Sequence, residues 1–372
     1  MSHPPDPKQR ALHLLESLTQ AHGAPGSEGQ VRAIFRRELD GVGDLSADRF
    51  GNVFCATPGG GGAGPKILIA GHMDEVGFMV QNITADGFIQ FAPLGGWWTH
   101  TLLAQRVRIL TRDGGEVPGI ISSKPPHFLS EDERAKVMKI ENLFIDAGAA
   151  DATELQERFG VRIGDPVVPD SAFSALANPD LLVSKAFDNR VGMALAIQAA
   201  EMLQHLEHPN TIIAAGTCQE EVGCRGAIAA AQRIQPDVAL ILEGPPADDT
   251  PGMPDVPQGK LGGGVQIRLM DPTAIMNRAL VKFVTDTADE CGIRYQVTVR
   301  RAGGTDAKSV QTAGDHGGVP CIVLGVPARY IHSHNSVLHI DDYLAALRLV
   351  VELGKRLDFA AAASLVDYLN EA

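Results

Sequence analysis

An alternation of short apolar runs with amphipathic helical stretches starts near the N-terminus, stops at about residue 76, and resumes near residue 180. That interruption constrains the fold more than any other feature. A chain can leave an α/β layer and return to it only if the intervening stretch folds as a unit of its own. Before the break, Asp6 and Pro7 predict the start of a helix with Leu12, Leu15 and Leu18 on one face. Ser27 with Gln30 predicts a capping box for a second helix that carries Val31, Ile34, Phe35 and Leu39. The run Ile67-Leu68-Ile69-Ala70, behind the glycine-rich stretch from Pro58 to Gly64, predicts a fully buried strand.

Between Gly77 and Pro179 the texture changes. Ala85-Asp86-Gly87 and Asp113-Gly114-Gly115 each separate two short apolar runs, which is the pattern of hairpins. Prolines 118, 125, 126, 166 and 169 exclude long helices here, and only the stretch from Asp151 to Phe159 predicts a helix. Several short strands at hairpin spacing predict a small β-barrel. From Asp180 onward buried strands are predicted at Thr211 to Ala215, Val238 to Leu242, Val265 to Leu269 and Cys321 to Leu324. The alternating stretch from Arg294 to Val299 predicts a half-wet strand, and helices are predicted over Val191 to Leu203, Gly226 to Ile234, Thr273 to Glu290 and Tyr343 to Phe359. The expected architecture is therefore α/β: a sandwich around a mixed sheet built from residues 1–76 and 180–372, with residues 77–179 as an inserted small β-barrel.

Charge and cysteine usage narrow the function. A net charge of −13 argues against a general polyanion binder, so no nucleic-acid partner is expected. No apolar run approaches the roughly 18 residues of a membrane span. Five cysteines, an odd number with no CxxC pair, and no apolar stretch after Met1 to Lys8 predict a reducing cytoplasm rather than a disulfide framework. Cys218 and Cys224 are expected to be small buried side chains rather than thiolate ligands.

Ligand-type residues collect at the carboxyl ends of the predicted strands. His72 and Asp74 follow the first strand, Glu220 and Glu221 the second, and Glu243 the third, while His332 and His334 follow the last. Open α/β sheets bind ligands at that edge. Asp188 precedes a helix, where negative charge is favoured. Asp74, two residues after His72, is placed to accept the other imidazole N–H and fix the tautomer. Adjacent carboxylates such as Glu220 and Glu221 repel each other unless a cation or proton compensates them. Imidazole plus carboxylate without a nearby thiolate suits zinc, cobalt or manganese, and the number of ligands suits two ions sharing a carboxylate. His334 reads as a structural histidine, and Trp97-Trp98 as hairpin packing rather than a stacking platform. The run Gly59 to Gly62 lacks the Lys-Ser/Thr ending of a phosphate loop, and Ser122-Ser123 lacks the glycines of a nucleophile elbow.

The segments GHMDEVG (71–77), FDNRVG (187–192), CQEEVGCRGA (218–227), GGTDA (303–307) and RYIHS (329–333) occur in this order, with PLGGWW and SKPPH in the insert. Together they resemble the tetrahedral aminopeptidases, a group that includes deblocking and glutamyl aminopeptidases and members labelled endoglucanase. The resemblance implies two divalent ions, zinc or cobalt with manganese as an alternative, held by His72, Asp188, Glu221, Glu243 and His332, with Asp188 as the bridge. It implies Glu220 as the general base, Asp74 as the partner of His72, and Asp306 of GGTDA as a substrate contact. It also implies short peptide substrates and a homo-oligomer of up to twelve subunits, assembled through the insert. The chain departs from the family pattern at Glu243, where Asp is common, and at His334-Asn335-Ser336. A glycoside hydrolase would need two carboxylates about a sugar and would leave His72 and His332 unexplained. A non-catalytic metal-binding scaffold would leave Glu220 idle.

Overall fold

The computed structural model describes residues 6–60, 64–253, 255–315 and 317–369. Met1 to Pro5 and residues 61–63 of the glycine-rich stretch lie outside the described residues. A nine-stranded mixed sheet forms the centre. Its strands run in the order Asp44–Ala47, Val53–Pro58, Thr211–Thr217, Lys66–His72, Val238–Glu243, Cys321–Gly325, Val265–Asp271 and Ala274–Ile275, with Tyr295–Val299 also paired to Val265–Asp271. The four strands from Thr211–Thr217 to Cys321–Gly325 are mutually parallel, so their carboxyl ends open on one edge. They are apolar and buried along almost their whole length, as strands covered on both faces must be.

The helix Phe187–Leu203 lies across the three strands Thr211–Thr217, Lys66–His72 and Val238–Glu243, with Pro7–Gln20 and Ile340–Arg356 packed on it. Two glycines permit its close approach. A Cβ on Gly71 would stand 2.6 Å from the Gly192 carbonyl carbon, and one on Gly192 would stand 2.6 Å from the Leu242 oxygen. Asn189 anchors the helix start: its amide donates to the Leu242 carbonyl at 2.7 Å and its oxygen accepts from Gly192 N at 3.0 Å. The helix thus begins beside the ends of two central strands, and Asp188 is delivered there.

The stretch from Gly77 to Pro169 forms a closed barrel, in the order Gly77–Ile83, Ile89–Leu94, Phe144–Asp146, Glu116–Ser122, Arg106–Leu110 and Pro166–Pro169. Both glycine turns pair their flanking strands as hairpins, with Gly87 and Gly114 at φ of +79° and +81°. Phe78, Phe91, Val107, Ile121, Ile145 and Val167 fill a core separate from that of the main sheet. After Pro169 the chain adds Ser174–Ala175 to a four-stranded sheet with Leu181–Ser184, Ser336–His339 and Ala328–Arg329.

Several local expectations are corrected. Ser27 and Gln30 form no capping box: the Gln30 side chain accepts from His22 N at 2.8 Å instead, and the helix starts at Gly29. The helix expected from Thr273 to Glu290 starts at Arg278, capped by Asn277, because Ala274–Ile275 turns back on Val265–Asp271. The Asp151 to Phe159 stretch is only a short π-type turn at Glu154–Arg158, and a capped helical turn at Glu131–Arg134 stands beside it in the barrel region.

Candidate metal centre

Each site residue sits where a strand or helix ends. His72 terminates Lys66–His72 and Glu243 terminates Val238–Glu243. Glu220 and Glu221 lie in the turn after Thr211–Thr217, and Asp188 stands at the irregular start of Phe187–Leu203. His332 follows the short strand Ala328–Arg329 with a positive φ of 55°. That rare conformation for a non-glycine residue turns its ring back toward the sheet edge.

Asp188 stands between the two histidines. Its Oδ1 lies 3.2 Å from His72 Nε2 and its Oδ2 lies 3.4 Å from His332 Nε2. Glu243 Oε2 is 3.8 Å from His72 Nε2, and Glu221 Oε2 is 3.4 Å from His332 Nε2. Among the described residues four groups could hold an ion, and two of them, the clusters His72–Asp188–Glu243 and Asp188–Glu221–His332, share the Asp188 carboxylate. Neighbouring ligands on a tetrahedral cation at about 2.0–2.1 Å are roughly 3.3 Å apart, close to these spacings.

Both rings have their second nitrogen engaged. His72 Nδ1 meets the Asp74 main-chain oxygen at 3.0 Å, and His332 Nδ1 meets the Gly96 carbonyl at 2.8 Å. A carbonyl only accepts, so each Nδ1 carries the proton and each Nε2 presents a lone pair to the cluster. The role expected of Asp74 changes accordingly. Its carboxylate stands 3.5 Å from His72 Nδ1, farther than its own carbonyl, and accepts from Glu220 N and Glu221 N at 3.0 Å each. Asp74 therefore fixes the turn that carries both glutamates. Gly96 lies in the loop after the barrel strand Ile89–Leu94, so the insert contributes directly to the centre. Gly95, at φ +86°, lets that loop pass against Glu221.

The electrostatics call for cations. Burial above all pushes Glu221 and Glu243 far up from the usual carboxylate range, and neighbouring carboxylates add to it. Glu220 is pushed up to about 7 by burial, then by Asp306, Asp74 and Asp188. His332 rises to about 10 despite its burial, because Asp188 and Glu221 face it. Glu221 Oε1 is buried with no hydrogen-bond partner. Buried acceptors in excess, imidazole lone pairs turned inward and a carboxylate shared between two clusters are what a pair of divalent ions would satisfy. The residues present fit such a pair.

Glu220 belongs to neither of the groups that share Asp188, but it is close to both: its Oε2 is 3.7 Å from His72 Nε2, it groups with His72 and Glu221, and its Oε1 accepts from the Cys224 thiol at 3.2 Å, a contact that residue spacing does not reveal. Asp306, expected to touch substrate, is buried beneath the site and accepts from the Thr217 hydroxyl. His334 is buried near Trp97, with ring centroids 5.8 Å apart, and points no nitrogen at the cluster. Trp97 stacks on Phe78 at 4.7 Å and donates to the Gly77 carbonyl, so it packs the barrel. A cavity of about 520 Å³ opens over the ligands, and its lining includes Arg268, Arg300 and Lys308, none of them singled out from the sequence.

The M42 glutamyl aminopeptidase family matches residues 51–349, a span that contains every residue of the two clusters. The chain belongs to this family. M42 relatives include the glutamyl aminopeptidase of Lactococcus lactis subsp. cremoris, 35% identical over 95% of this chain and 98% of that one. The lysyl aminopeptidase of Pyrococcus furiosus is 30% identical over 93% of this chain and 98% of its own length. The TET aminopeptidase of the marine sediment archaeon Thaumarchaeota archaeon SCGC AB-539-E09 superposes with a TM-score of 0.91 at 40% identity, covering 96% of this chain and 100% of that one. The Pyrococcus horikoshii TET1 peptidase, described as assembling into a tetrahedron or a large octahedral shell, gives a TM-score of 0.83 at 32% identity over 93% of this chain and 100% of that one. As an M42 member the chain is a peptide hydrolase, with the mixed sheet and closed barrel of the TET peptidase fold.

Proposed function

We propose that this M42 member is an aminopeptidase working with two divalent cations held by His72, Asp188, Glu221, Glu243 and His332. The observation that carries the reading is Asp188 placing one oxygen before His72 and the other before His332, at 3.2 and 3.4 Å. When bound, the pair of ions, zinc or cobalt with manganese as an alternative, supplies Lewis acidity that acidifies water and polarises a carbonyl. Glu220 is the general base. It lies beside the clusters without belonging to the shared-carboxylate arrangement, and the backbone of its turn is clamped by Asp74. It takes a proton from the attacking water and returns it to the leaving nitrogen. A peptide's free N-terminal amine would be held at the loaded centre, which restricts cleavage to chain ends.

Assembly into a closed homo-oligomer of twelve subunits, with short peptides as substrates, is part of the proposal. A TET1 relative described as assembling into a tetrahedron supports it. A cytoplasmic site of action is supported by five unpaired cysteines. No described helix is long and apolar enough to cross a membrane. The test is metal-reconstituted protein offered free and N-acetylated aminoacyl substrates alongside cellulose oligomers. Hydrolysis confined to the free amines is expected, and cleavage of the acetylated or sugar substrates instead would overturn the reading.

A further inference from the structure

We propose that Glu220, Cys224 and Asp306 form a third cation site, matched to zinc, and that an ion held there silences the enzyme. The inference rests on the reading of Glu220 as the general base and adds a regulation of the same centre.

Cys224, read from the sequence as a small buried side chain, places its Sγ 3.2 Å from Glu220 Oε1. One ligand atom from each of Glu220, Cys224 and Asp306 lies within 4.8 Å of the others. A thiolate and a carboxylate on one tetrahedral zinc stand roughly 3.5 Å apart, given Zn–S of about 2.3 Å and Zn–O of about 2.0 Å. The Glu220–Cys224 edge is therefore close to the length such an ion needs. Asp306 supplies an independent sign. It is 2% exposed, its Oδ2 accepts from the Thr217 hydroxyl, and its Oδ1 is buried with no hydrogen-bond partner. Among the described residues no lysine or arginine pairs with Asp306 or Glu220. A buried carboxylate oxygen left without a donor or a cation is costly, and an ion shared with its neighbours removes that cost.

The backbone holds the group ready. Ser309 joins two of its members: its hydroxyl donates to the Cys224 carbonyl at 2.9 Å and its N–H to the Asp306 carbonyl at 3.0 Å. Glu220 and Cys224 line the cavity over the centre and Asp306 does not, so an ion would enter from the cavity and keep one position open to it. The two Glu220 oxygens face different partners, Oε2 toward His72 Nε2 at 3.7 Å and Oε1 toward Cys224. The third ion would engage Oε1, the oxygen not turned to His72. Repulsion from two ions already bound makes this site the last to fill. Coordination releases the thiol proton to solvent. A cation on Glu220 lowers its basicity, so it no longer takes the proton from water. A thiolate ligand favours zinc over manganese, and a manganese-loaded enzyme would be spared.

The test follows bound metal and turnover together while zinc, cobalt or manganese is added beyond two equivalents per chain. Zinc should bind a third time, and turnover should fall roughly 10²-fold or more at saturation, as for loss of the base. Manganese should leave the rate at its plateau. Cobalt gives a readout independent of activity. None of His72, Asp188, Glu221, Glu243 and His332 carries sulfur, so a thiolate-to-cobalt charge-transfer absorption should be absent with two ions and appear with the third. In Cys224→Ser that absorption should vanish. The zinc needed for half-inhibition, relative to the variant's own two-ion rate, should rise by roughly 10-fold or more. No third zinc ion, or a cobalt–thiolate absorption that persists in Cys224→Ser, overturns the site. A third ion bound at Cys224 with undiminished turnover overturns the inhibition. Inactivity at two equivalents overturns the aminopeptidase reading and the inhibition with it, while the cobalt absorption still decides the site.

Discussion

At the scale of single residues, the group proposed to move the proton is distinct from those proposed to hold the ions. Glu220→Gln should keep both ions and lower turnover by roughly 10²–10⁴-fold. Metal analysis beside steady-state rates checks this, and near-normal turnover would remove Glu220 from the role. Asp188→Asn should lower bound metal well below two ions per chain, because two cations would lose their shared anion. Two tightly held ions in that variant would rule out the bridge. His72 and Glu243 stood out in the sequence as ligand types because each follows or ends a run too apolar to be anything but a buried strand, Ile67-Leu68-Ile69-Ala70 and Val238 to Leu242. Their mutual geometry did not. The exchange of roles at Asp74, whose carbonyl approaches His72 while its carboxylate clamps Glu220 and Glu221, depends on a turn conformation that residue types do not encode. Arg268 and Arg300 carry no signal in the sequence, since a basic residue within or just after a strand is ordinarily a solvated one, and only tertiary packing shows these Nε atoms buried.

At the scale of elements, the centre depends on a helix pressed against strand ends. Gly71→Ala would drive a methyl to 2.6 Å from Gly192, and overpacking of this kind typically costs about 1–3 kcal/mol. The expected result is a lower melting temperature together with weaker metal binding, since Asp188 rides on the helix that must move. His22, in the turn after Pro7–Gln20, carries a second prediction. It is fully buried with neither ring nitrogen bonded, and burial above all pushes its pKa down to about 4. Between about 6.5 and 4 the unfolded chain binds the proton and the folded chain does not, so stability should fall as the pH drops through that window. His22→Leu should flatten this part of the stability curve by up to roughly 3 kcal/mol, read from urea titrations at pH 7 and pH 4.5. Hairpins at Asp86-Gly87 and Asp113-Gly114 were readable because a φ near +80° demands glycine. The Thr273 to Glu290 stretch misled because Ala274–Ile275 is recruited by an adjacent strand, a tertiary contact that overrides local helical pattern.

At the scale of the whole molecule, the interruption between residues 77 and 179 is what most shaped the fold, and its meaning is now concrete. The barrel is not an appendage, because the Gly96 carbonyl orients His332. The proposed dodecamer predicts a particle of about 470 kDa by light scattering, twelve chains of 39.5 kDa. A fully active monomer or dimer would discard the assembly and leave the chemistry untouched. Two cations are proposed to share Asp188 and to act together on a peptide's free amino end. Stripping the protein of metal, then titrating zinc, cobalt or manganese while following hydrolysis of a free-amine aminoacyl substrate, decides whether they do. Activity is predicted to be absent in the stripped protein and to reach its plateau at two equivalents per chain. Full activity without metal, or a plateau reached at one equivalent, would contradict the two-ion centre.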